Sequence, residues 1–179
     1  MTKTIRFGAA GIAMFAAMGM SSVAHADTAT ADATAEVLDA LVLNNNTGLD
    51  FGSMVVSGAG TVTIESDGSL DCTAADIVCS GTTSVAGFSV EGTASKAVTI
   101  NLPGASVDLL HPDFSLATAA QHTIELGSFT SSENGTSGPE VTLDGTGNAS
   151  FDVGGTITLD GTEAAGVFEG TFDVSVDYS

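Results

Sequence analysis

From Gly166 to Ser179 the chain reads Gly-Val-Phe-Glu-Gly-Thr-Phe-Asp-Val-Ser-Val-Asp-Tyr-Ser, and its second half alternates apolar and polar residues one for one. Phe172, Val174, Val176 and Tyr178 fall on one side, with Thr171, Asp173, Ser175 and Asp177 on the other. A period of two is the repeat of a β-strand with one buried face, and it excludes a helix here. Such a strand presents an apolar row and a line of backbone donors and acceptors, and both need a covering neighbour. The pattern recurs upstream, in runs at 49–56, 61–65, 85–91, 97–102, 123–129, 149–153, 156–159 and 167–178. Between the runs stand Asp67-Gly68, Asn134-Gly135, Asp144-Gly145 and Asp160-Gly161. These are turn dipeptides, because glycine tolerates positive φ and a short polar side chain bonds its own backbone. The spacing predicts an all-β antiparallel sandwich with no helix beyond one or two turns. Leu143-Asp144-Gly145-Thr146 returns as Leu159-Asp160-Gly161-Thr162, a single hairpin period and too little to indicate a solenoid.

The other end predicts where the protein goes. Lys3 and Arg6 precede an apolar stretch from Phe7 to Met20, and Ala24-His25-Ala26 supplies a small-x-small cleavage pattern. That combination is a secretory signal peptide over residues 1–26, with the mature chain starting at Asp27. A membrane anchor would need roughly twenty apolar residues, and no later segment could span a bilayer as a helix. The division expected is therefore signal peptide 1–26, an N-terminal β-segment 27–40 and a sandwich domain 41–179. Export through the Sec pathway leads to the periplasm and then the cell surface or the medium.

Cleavage leaves Lys96 as the one basic residue against 22 acidic ones. A surface this acidic is a poor partner for nucleic acid or anionic lipid. The acids are scattered singly, which suits solubility better than cation binding. Cys72 and Cys79 are the two cysteines, and in an oxidising compartment they are expected to form a local disulfide. Closing so short a loop contributes at most about 2 kcal/mol by the chain-entropy account.

Chemistry-bearing motifs are sparse. His111 and His122 stand in no metal-binding spacing, and no Gly-x-Ser-x-Gly elbow occurs. Scattered acids define no glycosidase pair, and the chain has no Trp to stack on a sugar. The expectation is a protein without enzymatic activity, cofactor or metal. Calcium is the best ligand candidate, through the oxygen donors of Asp67-Gly68-Ser69-Leu70-Asp71 and Asp144-Gly145-Thr146-Gly147-Asn148. Neither stretch matches an EF-hand loop, and hairpin turns account for both without a metal.

A second alternating row lies just after the cleavage point. Ala29, Ala31, Ala33, Ala35 and Val37 share one face, and Thr28, Thr30, Asp32, Thr34 and Glu36 the other. An alanine face is shallow and buries little area as a sheet edge, but it fits a narrow groove. The row is either the first strand of the sandwich or a donor strand for the next subunit. An open strand at the C-terminus favours donation, because head-to-tail polymerisation needs both parts.

Ala29 to Leu38, Leu49-Asp50-Phe51-Gly52, Val153-Gly154-Gly155-Thr156-Ile157-Thr158-Leu159 and Gly170 to Tyr178, in this order, resemble the secreted bacterial DUF4402-type domain family. The resemblance implies an immunoglobulin-like β-sandwich on the fimbrial pattern and assigns no chemistry. The termini also look like those of chaperone–usher pilins, whose C-terminal strand carries a glycine where Gly166 stands and a penultimate tyrosine where Tyr178 stands. That likeness implies that Phe172, Val174, Val176 and Tyr178 line a groove filled first by a periplasmic chaperone and later by a neighbouring subunit, delivered through an outer-membrane usher. Two departures stand out. Many pilins join core strands by their disulfide, whereas Cys72 and Cys79 close a loop, and the donor row is built of alanine where larger residues are usual. The function expected is a non-enzymatic filament subunit that polymerises with like subunits. The alternative is a monomeric secreted module binding a glycan or matrix component, with calcium as an aid.

Overall fold

A computed structural model describes residues 27–115, 117–133 and 136–179. The signal peptide expected at 1–26 and the Asn134-Gly135 turn lie outside the described residues. The chain divides between Glu36 and Val37. Residues 27–36 carry no strand and are exposed throughout. The β-segment read at 27–40 is thus not part of any sheet here.

From Val42 onward the chain is all-β. Its strands are β1 (Val42–Thr47), β2 (Ser53–Val56), β3 (Gly60–Ile64), β4 (Leu70–Asp71), β5 (Ile77–Ser80), β6 (Ala86–Glu91), β7 (Ala97–Asn101), β8 (Val107–Leu110), β9 (Thr123–Glu133), β10 (Thr136–Ser137), β11 (Glu140–Thr142), β12 (Asn148–Leu159) and β13 (Ser175–Tyr178). A 3-10 turn at Ala119–Gln121 is the one helical element among the described residues. Every strand pairing is antiparallel. They form an eight-stranded sheet, a three-stranded sheet ordered β11-β7-β13 and a two-stranded ribbon of β2 and β5.

β12 organises the large sheet. Its first half pairs with β6 and its second half with β3, while β9 runs along its other side. The runs read as separate at 149–153 and 156–159 are therefore one strand. What joins them is Gly154-Gly155, which looks like a turn in sequence. At Gly154 any Cβ would overlap the carbonyl oxygen of Ile64 and lie 2.6 Å from backbone atoms of Glu65 and Ser66. Glycine is there so that β3 can end against β12, not so that β12 can turn. The seam is closed by the fully buried Ser132, whose hydroxyl donates to the Ser66 carbonyl at 2.7 Å.

Alternation fills two apolar clusters. The first joins Phe88 and Val90 of β6, Val98 and Ile100 of β7, Val141 of β11, and Phe151 and Val153 of β12. It lies where the three-stranded sheet packs on the large one. The second joins Val62 and Ile64 of β3, Ile77 of β5, Ile124 and Leu126 of β9, and Ile157 and Leu159 of β12, together with Phe51. Phe172, Phe129 and Leu49 touch both.

Gly68 and Gly161 hold the positive φ expected of their Asp-Gly turns, whereas at Asp144-Gly145 the positive φ falls on Gly147. Asp144 Oδ1 accepts from the N–H and hydroxyl of Thr146, both at 2.7 Å, and from the N–H of Asn148 at 3.0 Å. Asp160 repeats the motif on Thr162, and Asp67 on Ser69. One oxygen of each carboxylate is thus spent on its own turn. Hydrogen bonds to the charged form hold all three carboxyls below the ordinary aspartate value of 3.8: the Ser69 hydroxyl is the main cause at Asp67, the Asn148 N–H at Asp144 and the Thr162 hydroxyl at Asp160. Groups lowered in this way stabilise the fold above their unfolded value, and that contribution disappears as pH falls through the folded value. Urea midpoints are therefore expected to drop as pH goes from 6 to 3, and the Asp144→Asn protein should show a smaller drop than wild type.

Candidate functional site

The C-terminal alternation divides into two parts with different surroundings. β13 pairs with β7, setting Val176 opposite Ile100 and Tyr178 opposite Val98. Val174, Val176 and Tyr178 turn inward onto the first cluster, as their period requires. Tyr178 is further tied at its hydroxyl, which accepts from the Thr93 N–H at 2.7 Å and donates to the Asp39 carbonyl at 2.8 Å. The penultimate tyrosine is an internal anchor between the chain's last strand and the start of its domain. Tyr178→Phe is expected to cost about 1 kcal/mol in a urea melt, the usual net worth of such bonds.

Residues 163–174 behave differently. The sequence predicts one strand from 167 to 178, yet the ladder covers Ser175–Tyr178 alone. Before it the backbone makes one β-bridge, Glu169 with Leu110, through bonds of 2.8 and 3.0 Å, and the Ala164 N–H donates to the Gln121 carbonyl at 2.8 Å. Phe168 and Phe172 point into the second cluster while Val167 is exposed. Phe172 meets Phe129 at 4.8 Å, and Phe168 stands edge-on to His111 at 5.3 Å. His111 in turn stacks on His122 at 4.8 Å, so the two histidines are packing groups on this wall. Gly166 lies under the His111 ring, in a place that a Cβ would have to share with Nε2. A side chain there would have to displace the His111 ring.

Opposite this wall runs the stretch that includes β2, and between the two opens a groove of about 1440 Å³. Leu49, Phe51, Met54 and Val56 line it together with Phe168, Phe172, Ile124 and Ile157. Both rims have backbone to offer. β2 bonds to β5 with Ser53 opposite Ser80 and Val55 opposite Val78, and the Ser57 N–H continues the ladder to Asp76 at 2.9 Å. Because peptide groups alternate sides along a strand, those of Met54 and Val56 point away from β5. On the facing wall Glu169 turns its N–H and C=O to Leu110, so those of Phe168 and Gly170 point the other way.

Of the C-terminal residues singled out in the sequence, Gly166 and Phe172 line the groove, whereas Val174, Val176 and Tyr178 do not. Leu49, Phe51, Met54, Val56 and Phe168 all lie in the runs 49–56 and 167–178 that the sequence marks as strand, but nothing in the sequence singles them out as site residues. Of the alanine row, every residue from Ala29 to Val37 is exposed, Val37 at 94%. Cys72 and Cys79 form the expected disulfide, with Cα atoms 6.3 Å apart, and fasten β5 to the strand pair β3–β4 beside the second cluster.

Residues 41–178 match the family described as Domain of unknown function (DUF4402). The chain belongs to this family. The match takes in β1 to β13 and both walls of the groove, so the groove is built within the DUF4402 domain itself. No curated protein matches the chain. Among the described residues, no helix of the DUF4402 chain is long and apolar enough to cross a membrane, and no group of three or more His, Cys, Asp or Glu could hold a metal ion.

Proposed function

We propose that this protein is a non-enzymatic structural subunit of a cell-surface or extracellular filament, assembled from like subunits by β-strand complementation. In this reading it is exported through the Sec pathway, and its domain is an immunoglobulin-like sandwich on the fimbrial pattern with pilin-like ends. A periplasmic chaperone and an outer-membrane usher are its partners on the way out. The observation that carries the reading is the groove, lined largely by apolar residues and bordered by peptide groups of Met54, Val56, Phe168 and Gly170 that are turned away from β5 and β8. An added strand takes its affinity from main-chain bonds to such rims and its register from alternate side chains in the apolar floor. The acidic surface keeps an exported protein in solution and makes nucleic acid a poor partner.

Protein sheared from cells and run on an SDS gel without boiling is expected to give a ladder of multimers that collapses to monomer on heating. A single monomer band in both lanes would move the reading to a monomeric binding module.

A further inference from the structure

We infer that the outer face of the large sheet carries a carbohydrate site, a depression of about 460 Å³ over β9 and β12 that takes a sugar residue without an acid group. It shares no lining residue with the groove, and it does not depend on how subunits join.

The strands themselves build it. Leu126 of β9 and Ile157 of β12 turn into the second cluster, so Glu125, Gly127, Thr156 and Thr158 turn outward. Pairing sets Glu125 beside Thr158 and Gly127 beside Thr156. Gly127 has no side chain, and the gap it leaves is the floor of the depression. The loop at 103–106 closes one side, near enough that a Cβ on Gly127 would lie 3.3 Å from the Ser106 Cβ. A β-bulge shapes the other. Two residues of β9, Ser128 and Phe129, stand against Gly155 of β12, and Ser128 takes a φ of 49°. Without the extra residue the alternation would send Ser128 inward and Phe129 outward. With it, Phe129 packs on both clusters and Ser128 is exposed beside Gly127. A non-glycine residue at positive φ is strained, and such strain gathers at binding sites.

The lining chemistry names the ligand class. The hydroxyls of Ser106, Ser128, Thr156 and Thr158 each donate and accept, while the ionised Glu125 carboxylate accepts only. Thr156 Oγ1 shares one hydrogen bond with Thr63 Oγ1 at 2.8 Å and keeps further bonding capacity for a ligand. Pro103, Ala105 and Phe129 add apolar surface. A sugar ring offers the matching mixture, with hydroxyls around its edge and C–H groups on its faces. With no Trp in the chain to stack on that ring, recognition falls to the hydroxyls and the carboxylate. Charge narrows the class. Asp108 lies directly opposite Glu125 across the β8–β9 pair, and like charges so placed repel each other and any anion brought between them. Uronic and sialic acids are thereby disfavoured, whereas hydroxyl or amine donors offset the repulsion.

The test couples the exported protein at high density to beads and applies them to an array of neutral, amino and acidic saccharides, so that multivalency offsets the weak affinity of one shallow site. Retention on neutral or amino sugars is expected. Glu125→Ala should lower it about tenfold and Thr158→Val about fivefold, the scales of a lost charged and a lost neutral hydrogen bond. Thr61→Val is the control, since Thr61 pairs with Thr158 from the β3 side and lies outside the depression. All three side chains are exposed, so the variants should melt as wild type does. No retention on any saccharide, or retention confined to acidic ones, would overturn the proposal. So would retention undiminished by Glu125→Ala and Thr158→Val, or an equal loss in Thr61→Val.

Discussion

Gly154→Ala is expected to destabilise the domain by about 4 kcal/mol or to prevent folding altogether. One methyl group has this effect because its neighbours are backbone. The new Cβ would overlap the Ile64 carbonyl and press on the main chain of Glu65 and Ser66 at 2.6 Å. No rotamer relieves a clash with the main chain, so β3 or β12 must shift, and both carry fully buried side chains of the second cluster. Overpacking in a dense interior typically costs 1–3 kcal/mol, and displaced ladder bonds add to it. Gly145→Ala is the control, since a Cβ there meets nothing within 4 Å and the residue does not hold positive φ. Its urea midpoint should stay within about 0.5 kcal/mol of wild type. If Gly154→Ala unfolds at the wild-type midpoint, the crossing of β3 and β12 is not as tight as described.

Phe151→Ala is expected to cost 3–5 kcal/mol, in the range measured for large-to-small changes at buried aromatics. Phe151 is 1% exposed and stacks on Phe88, with ring centroids 5.3 Å apart and an angle of 11° between planes. Its cluster draws on β6, β7, β11 and β12, so it fastens the three-stranded sheet to the large one. The cavity left by the ring cannot close without moving two sheets toward each other. The loss should therefore appear as a lower urea midpoint with an unchanged slope. Phe151→Leu, which keeps most of the volume, should recover more than half of it.

The sequence was most informative where burial and period agree. The runs at 61–65, 85–91 and 97–102 became β3, β6 and β7 within a residue or so, because each has one face pressed into a cluster and one face out. β1 lies outside the alternating runs, since Val-Leu-Asn-Asn-Asn-Thr is almost wholly exposed and its pairing with β6 leaves little apolar signature. β5 and β8 were too short to stand out. The Gly154-Gly155 pair misled in the opposite direction, suggesting a break where a neighbouring strand requires a gap in the side chains. At the site, the alternation from 171 to 178 gave the correct inward face for Phe172, Val174, Val176 and Tyr178. It could not tell that Phe172 faces a groove while the other three face a filled core, nor that Leu49 to Val56 forms the opposite rim.

By itself the sequence determined that the domain is all-β and antiparallel, which residues turn inward, where the Asp-Gly turns fall and that Cys72 bonds Cys79. These are local properties, set by a two-residue period, by the φ freedom of glycine and by short loop closure, and each can be read without knowing what lies alongside. Which strands are neighbours, and therefore which edges stay open, was decided by the tertiary structure alone. Period two fixes the face of a strand and is silent about its partner. The groove exists because β2 pairs with β5 and residues 163–174 barely pair at all, a fact of long-range contacts that no window of the sequence contains.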